Sequence, residues 1–309
     1  MRKAIWGFEV FIGIMSLWIL VVKLGQELNF FQLGQTHSYS EPVLTSTPTP
    51  IGQNFTYAEL NNQVAPPSGT TINVVWGDIG QKLVDAGAID LIAYQNLIGD
   101  LSDKQQEILL HDTLQHITLT PDNIQFWTNV LWALGLTQHS KVLDEGPMMQ
   151  FAAEVPLDNY ASTGGWTLGR RNAIDLYNSA ELIKLTSAQQ DLVYQVAETI
   201  FRPCCGNHTA YPDCNHGMAL LGLLELLAAQ GATASEMYDA ALIFNSYAFQ
   251  DTYITLAAYF ESQGTAWSDL DPVTVLGAGY SSGQSAYEIA LQVGPIPGSP
   301  NQAGGCSVE

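Results

Sequence analysis

The sequence predicts an all-α protein: a multi-helix bundle around one fully buried central helix, preceded by an N-terminal transmembrane anchor and a disordered tether. Three observations carry this. Apolar residues recur at three- and four-residue spacing from about residue 74 onward. Three capping boxes, Ser102-Asp103-Lys104-Gln105, Thr186-Ser187-Ala188-Gln189 and Thr233-Ala234-Ser235-Glu236, punctuate that pattern. No stretch shows the alternation of a half-buried strand worth assigning, and no repeat of fixed period is present.

In chain order, residues 1–3 read as a cytoplasmic tip and 4–23 as a signal-anchor. The apolar run Ala4–Val22, closed by Lys23, is about long enough to cross a bilayer as a helix. Arg2 and Lys3 hold the start inside, which places the bulk of the chain outside the cell membrane as a single-pass, extracytoplasmic protein. The alternative is a cleaved signal peptide, but Leu24-Gly25-Gln26-Glu27-Leu28 offers no clean small-x-small site. Residues 24–73 read as a Thr/Pro/Ser-rich tether. Thr45-Ser46-Thr47-Pro48-Thr49-Pro50 and Pro66-Pro67-Ser68-Gly69 cannot bury enough apolar surface to order themselves. Asn54-Phe55-Thr56 and Asn207-His208-Thr209 match the N-glycosylation pattern, a short pattern that arises readily by chance.

Residues 74–309 form the expected domain. Trp76–Ala86 is amphipathic and stops at Gly87, and Ile89–Leu97 continues the helical spacing. The Ser102 box opens a helix through Ile108, and Thr120-Pro121 opens another through Trp127 and Trp132 to Leu136. Residues 139–171 break the pattern with Gly146-Pro147-Met148-Met149 and Thr163-Gly164-Gly165-Trp166, a long ordered loop of the kind that shapes sites. Met148 and Met149 read as packing residues rather than soft ligands. The Thr186 box opens a helix that presents Leu192, Val193, Val196, Ala197, Ile200 and Phe201 on one face and runs into Pro203. Cys214 to about Gln230, expected to be capped by Asp213, is apolar nearly all round, so it reads as the buried central helix. Helices from Ala234 to about Asn245, Thr252 to Ser262 and Ala286 to Val293 follow, then a Gly/Pro-rich tail with Cys306. Asp269-Leu270-Asp271 hints weakly at Ca²⁺ and reads better as a cap or turn.

Composition narrows the function. Apolar residues are 47% of the chain and charged ones only 13%, about half the usual share. The net charge of −20 arises from scarcity of base, with ten Lys and Arg in all. Nucleic acid is excluded as a partner, because phosphate binding needs clustered basic residues. The acidic field favours cations instead.

The chemistry concentrates in Arg202–Met218, which holds three of the four cysteines and two of the six histidines. Thiolates, imidazoles and thioethers ligate soft or borderline metals. The spacing Cys204-Cys205-x8-Cys214-x-His216 puts a cysteine pair at the end of one helix and a Cys/His pair at the start of the next. Three sulfurs and a nitrogen suit tetrahedral Zn²⁺, and Met218 as a further ligand would favour Cu(I). His208 and Cys306 are reserve ligands. Adjacent cysteines can share an ion only with some backbone strain. The expected function is therefore metal binding, Zn or Cu, through Cys204, Cys205, Cys214 and His216. The runner-up is a thiol–disulfide module using the same cysteines. A third reading is a non-catalytic cell-surface interaction domain with a structural disulfide. A Cys214 nucleophile served by His111 or His116 is a lesser alternative, because nothing orients such a pair. Glu225, one charge in an apolar helix, sits about 16 Å along that helix from Cys214, too far to share its coordination sphere, and is expected to have a buried partner or to mark a second polar site.

On Gly164-Gly165-Trp166-Thr167-Leu168-Gly169, Arg202-Pro203-Cys204-Cys205-Gly206-Asn207 and Asp213-Cys214-Asn215-His216-Gly217-Met218, the chain resembles a family of membrane-anchored prokaryotic proteins. The resemblance extends over most of residues 90–309, including Gly305-Cys306. It implies that the cysteine cluster, the Gly-Gly-Trp loop and the C-terminal cysteine act as one unit. It implies no reaction.

Overall fold

The computed structural model describes residues 50–300. The expected tip, the anchor, most of the tether and Cys306 lie outside the described residues. Among those described, no helix is long and apolar enough to cross a membrane. They form a mostly helical domain with one two-stranded sheet.

Two expectations need correction near the start. The tether does not continue to residue 73. A 3₁₀ turn covers Ile51–Asn54, and helix α1 (Tyr57–Val64) follows, with Thr56 and Glu59 forming a capping box. The four-residue spacing of Leu60 and Val64 buries one face, and Tyr57 Oη donates to Asp251 at 2.6 Å. Pro66–Gly69 is then a tight turn closed by Gly69 N–H on Pro66 O at 2.9 Å, with Gly69 at φ +90°. The polar composition masked a short amphipathic helix.

The second correction is a sheet. Strand β1 (Thr70–Gly77) runs into helix α2 (Ile79–Asp85), so Trp76 is a strand residue and not a helical one. After α3 (Leu91–Ile98, capped by Asp90) and α4 (Asp103–Leu110, opened by the Ser102 box), strand β2 (Thr113–Leu119) pairs antiparallel with β1. The register runs from Thr70 opposite Leu119 to Gly77 opposite Thr113, with irregularities around Val75. Ile72, Val74 and Trp76 do alternate inward, but Leu114 points out at 85% exposure and spoils the pattern in β2.

Helix α5 spans Ile124–Thr137. It starts later than Thr120-Pro121 suggested, because Asn123 ties that dipeptide into a turn: its side chain accepts from Thr120 N–H and donates to Thr118 O. Residues 139–171 are ordered as single turns at Lys141–Glu145, Pro147–Gln150, Leu157–Asn159 and Ala161–Gly164. Met148 is buried there as packing. Helix α6 (Ser187–Ala197), opened by the Thr186 capping box, ends before Ile200 and Phe201 rather than reaching Pro203.

The central helix is α7 (Asn215–Ala229), and every residue from Gly217 to Ala228 is buried. It crosses α5 at glycines. A Cβ on Gly135 would lie 2.1 Å from Met218 O, and one on Gly222 would lie 2.5 Å from Leu131 O. Backbone meets backbone at that crossing, which no larger residue permits. Helices α8 (Ala234–Ala248), α9 (Gln250–Ser262) and α10 (Gly283–Val293) complete the bundle. Asp271 caps the short turn Pro272–Leu276 by accepting from Val273 and Thr274 N–H, which gives the Asp269-Leu270-Asp271 segment its structural role.

Candidate metal centre

Between α6 and α7 the chain makes a closed loop. Phe201 bridges antiparallel to His208, and Thr209 N–H and Oγ1 both bond Ile200 O, at 2.8 and 3.0 Å. This neck curls Pro203-Cys204 into a turn, with Cys205 N–H on Arg202 O. Neither adjacent cysteine takes a positive φ. The turn carries both sulfurs toward Cys214, which opens α7.

The Sγ atoms of Cys204, Cys205 and Cys214 all lie within 4.8 Å of one another. Cys204 and Cys214 are 3.6 Å apart, and all three are free thiols among the described residues. Cys214 is the N-cap itself, a place expected for Asp213: its sulfur accepts from Gly217 N–H at 3.4 Å. A helix N-terminus favours negative charge on such a group.

Asp213 has other work. It pairs with Arg202, Nη2 to Oδ1 at 2.9 Å, and accepts from Asn207 Nδ2 at 2.8 Å. The Arg202 side chain is 0% exposed. The same Nη2 reaches Cys205 Sγ at 3.3 Å and Tyr211 O at 3.2 Å, while Nε and Nη1 have no partner among the described residues. Gly217 makes this position possible, since a Cβ there would sit 2.6 Å from the Arg202 Cζ. A whole guanidinium is thus enclosed against three thiols. Sequence reasoning gave Arg202, Asn207 and Gly217 no role and read Asp213 only as the cap of the central helix, a position that Cys214 takes. The available signal was an Arg adjoining Pro-Cys-Cys in a chain with ten basic residues.

The electrostatics follow from this enclosure. Hydrogen bonds from Cys204 and Cys205 pull the Cys214 thiol well below its ordinary range against the cost of burial, helped by the Arg202 charge and Gly217 N–H. Cys204, bonded to Cys205 and Cys214 and buried, is driven up. At Cys205 the bond with Cys204 pulls down, but the bond with Cys214 and burial outweigh it. Gly217 N–H at the start of α7 and the Arg202 charge both favour negative charge on Cys214. Burial weighs against charge on Arg202, yet Cys214, Cys205, Cys204 and Asp213 hold its pKa above the ordinary value. Burial and the neighbouring Cys214 push Asp213 up, and Arg202 and Asn207 restrain the rise.

The structure does not bring His216 into this set. Its ring lies against Phe249, with centroids 4.6 Å apart, and burial lowers its pKa. His208 packs edge-on to Phe201 with its Nδ1 buried and unpartnered. Met218 is buried in α7, one turn beyond Cys214. His111 follows α4, and His116 lies in β2 opposite Val75; both are exposed and neither joins the cluster. The Gly-Gly-Trp loop touches the centre through Ser162 N–H on Asp213 O at 3.1 Å. It is anchored by Trp166, whose Nε1 donates to Ala88 O and whose ring meets Trp132 edge-on.

The donor set fits a thiophilic ion. Zn–S bonds of about 2.3 Å in a tetrahedron place sulfurs about 3.8 Å apart, close to the Cys204–Cys214 separation. No protein-family model, curated protein or solved structure matches this chain.

Proposed function

We propose that the protein is a membrane-anchored, extracytoplasmic metal-binding protein whose ligands are Cys204, Cys205 and Cys214. The observation that carries the reading is the convergence of three sulfurs within 4.8 Å. The enclosed Arg202 supports it, because three thiolates around one ion leave negative charge that a buried cation offsets. Soft sulfur donors select Zn²⁺ or Cu(I) over the hard cations that the acidic surface also attracts. His216 is not a ligand in this reading.

The test is elemental analysis of the full chain, purified without chelator, beside a count of reactive thiols. One zinc or copper per chain with Cys204, Cys205 and Cys214 in the thiol state is the expected result. Bridged cysteines without metal would replace this reading with the second one, a thiol–disulfide module. One observation favours that alternative: the 3.6 Å contact between Cys204 and Cys214.

A further inference from the structure

The three thiols are not equivalent. Cys205 is held by its surroundings: Arg202 Nη2 reaches its sulfur at 3.3 Å, and Asn207 O and Asp213 Oδ1 lie 4.0 Å away. Cys204 has no such partner and faces Cys214 at 3.6 Å. Cys214 stands at the N-terminus of α7, its sulfur on Gly217 N–H. All three cysteines are partly exposed rather than fully buried.

We propose that this centre is redox-gated, with closure of a Cys204–Cys214 disulfide discharging the metal and leaving Cys205 as a free thiol against Arg202. The proposal rests on the metal reading for what is discharged, and on the unequal thiols for which pair closes. The oxidant is a low-molecular-weight or protein disulfide, the reagent class of thiol exchange. The Cys214 thiolate attacks one sulfur of that disulfide, forms a mixed disulfide and releases one thiolate. The Cys204 thiolate then attacks the Cys214 sulfur, closes the intramolecular bond and releases the second thiolate. Two cysteines lose two electrons, and the disulfide gains them as two thiols. An ion left with Cys205 alone has lost two of its three sulfur ligands and dissociates.

The experiment uses the full chain, reduced and loaded with one equivalent of Zn²⁺, then exposed to oxidised glutathione. Released zinc is followed with a chromophoric chelator, and the bridge is mapped by alkylation and peptide mass spectrometry. We expect one zinc released per Cys204–Cys214 bridge, with Cys205 alkylated in the same sample. In metal-free protein, Cys205→Ser should still close the Cys204–Cys214 bridge, and Cys204→Ser and Cys214→Ser should form none between these positions. A bridge that maps to Cys204–Cys205 or Cys205–Cys214 overturns the proposal, as does zinc retained after Cys204–Cys214 closure. Both outcomes leave the metal reading standing. Reduced wild-type chain that takes up neither zinc nor Cu(I) overturns the metal reading and the gating together.

Discussion

At the scale of single residues, the cysteine trio was legible and its surroundings were not. Spacing alone placed a sulfur pair and a third sulfur at facing helix ends. It could not place His216, because residues two apart on a helix point about 200° away from each other. With Cys214 at the N-cap aimed back into the loop, His216 is turned toward Phe249. Arg202 was invisible because nothing in a sequence says that a guanidinium is enclosed. Its dependence on Gly217 is testable. Gly217→Ala would set a methyl 2.6 Å from a Cζ that Asp213 and Tyr211 O hold in place. We expect a loss of about 1–3 kcal/mol, the range for overpacking, read from the denaturation midpoint. Glu225 makes a separate prediction. Among the described residues neither buried carboxylate oxygen has a hydrogen-bond partner by geometry, and burial drives its pKa well above the usual carboxyl value, only partly opposed by the nearby Ser140 hydroxyl. The folded state keeps a proton that the unfolded chain gives up, so stability is full below the unfolded carboxyl pKa and is lost as pH rises toward the folded one. Glu225→Gln should flatten that decline and be at least as stable as wild type at pH 8, measured by urea unfolding across the pH range. A variant that is less stable and keeps the same pH slope would show that Glu225 is ionised in the fold.

At the scale of elements, helices with local signals were readable and the sheet was not. Ser102, Thr186 and Thr233 each open a helix with the capping box their sequence announces. Helix α7 was recognisable because an apolar surface all round has no solvent face to hide. The α5 start was misplaced because Asn123 competes for the backbone of Thr120-Pro121, a side-chain choice that propensity does not encode. Strand β1 straddled the boundary drawn at residue 73, and β2 carries an outward Leu114. The α5–α7 crossing also escaped notice, since glycine inside a helix reads as a weakness until its neighbour is known. Gly222→Ala would press a methyl onto Leu131 O and Gly135 N, at 2.5 and 2.7 Å. Backbone cannot swing aside as a side chain can. Destabilisation at or above the upper end of about 1–3 kcal/mol is expected in chemical denaturation, and a change below 0.5 kcal/mol would mean that the helices stand further apart.

At the scale of the whole molecule, composition marked out the chemistry better than the boundaries. The excess of acid over base pointed to cations, and the structured domain brings three sulfurs within 4.8 Å of one another, close enough to hold one. The same composition hid where that domain begins, because Thr- and Pro-rich sequence surrounds the short helix α1. On the proposed reading, an ion bound at the loop that joins α6 to the central helix would be coupled to the entire fold. Free zinc at about 1,000 times its dissociation constant should raise stability by about 4 kcal/mol, and chelation should remove that gain. The most direct measurement of the account is zinc affinity of the reduced full chain, by competition with a chromophoric chelator, for wild type, Cys205→Ser and His216→Ala. The account predicts one ion per wild-type chain, a loss of more than about 100-fold for Cys205→Ser, beyond what removal of an outer partner causes, and no change for His216→Ala. Wild-type chain that binds neither zinc nor Cu(I), or His216→Ala as impaired as Cys205→Ser, would contradict it.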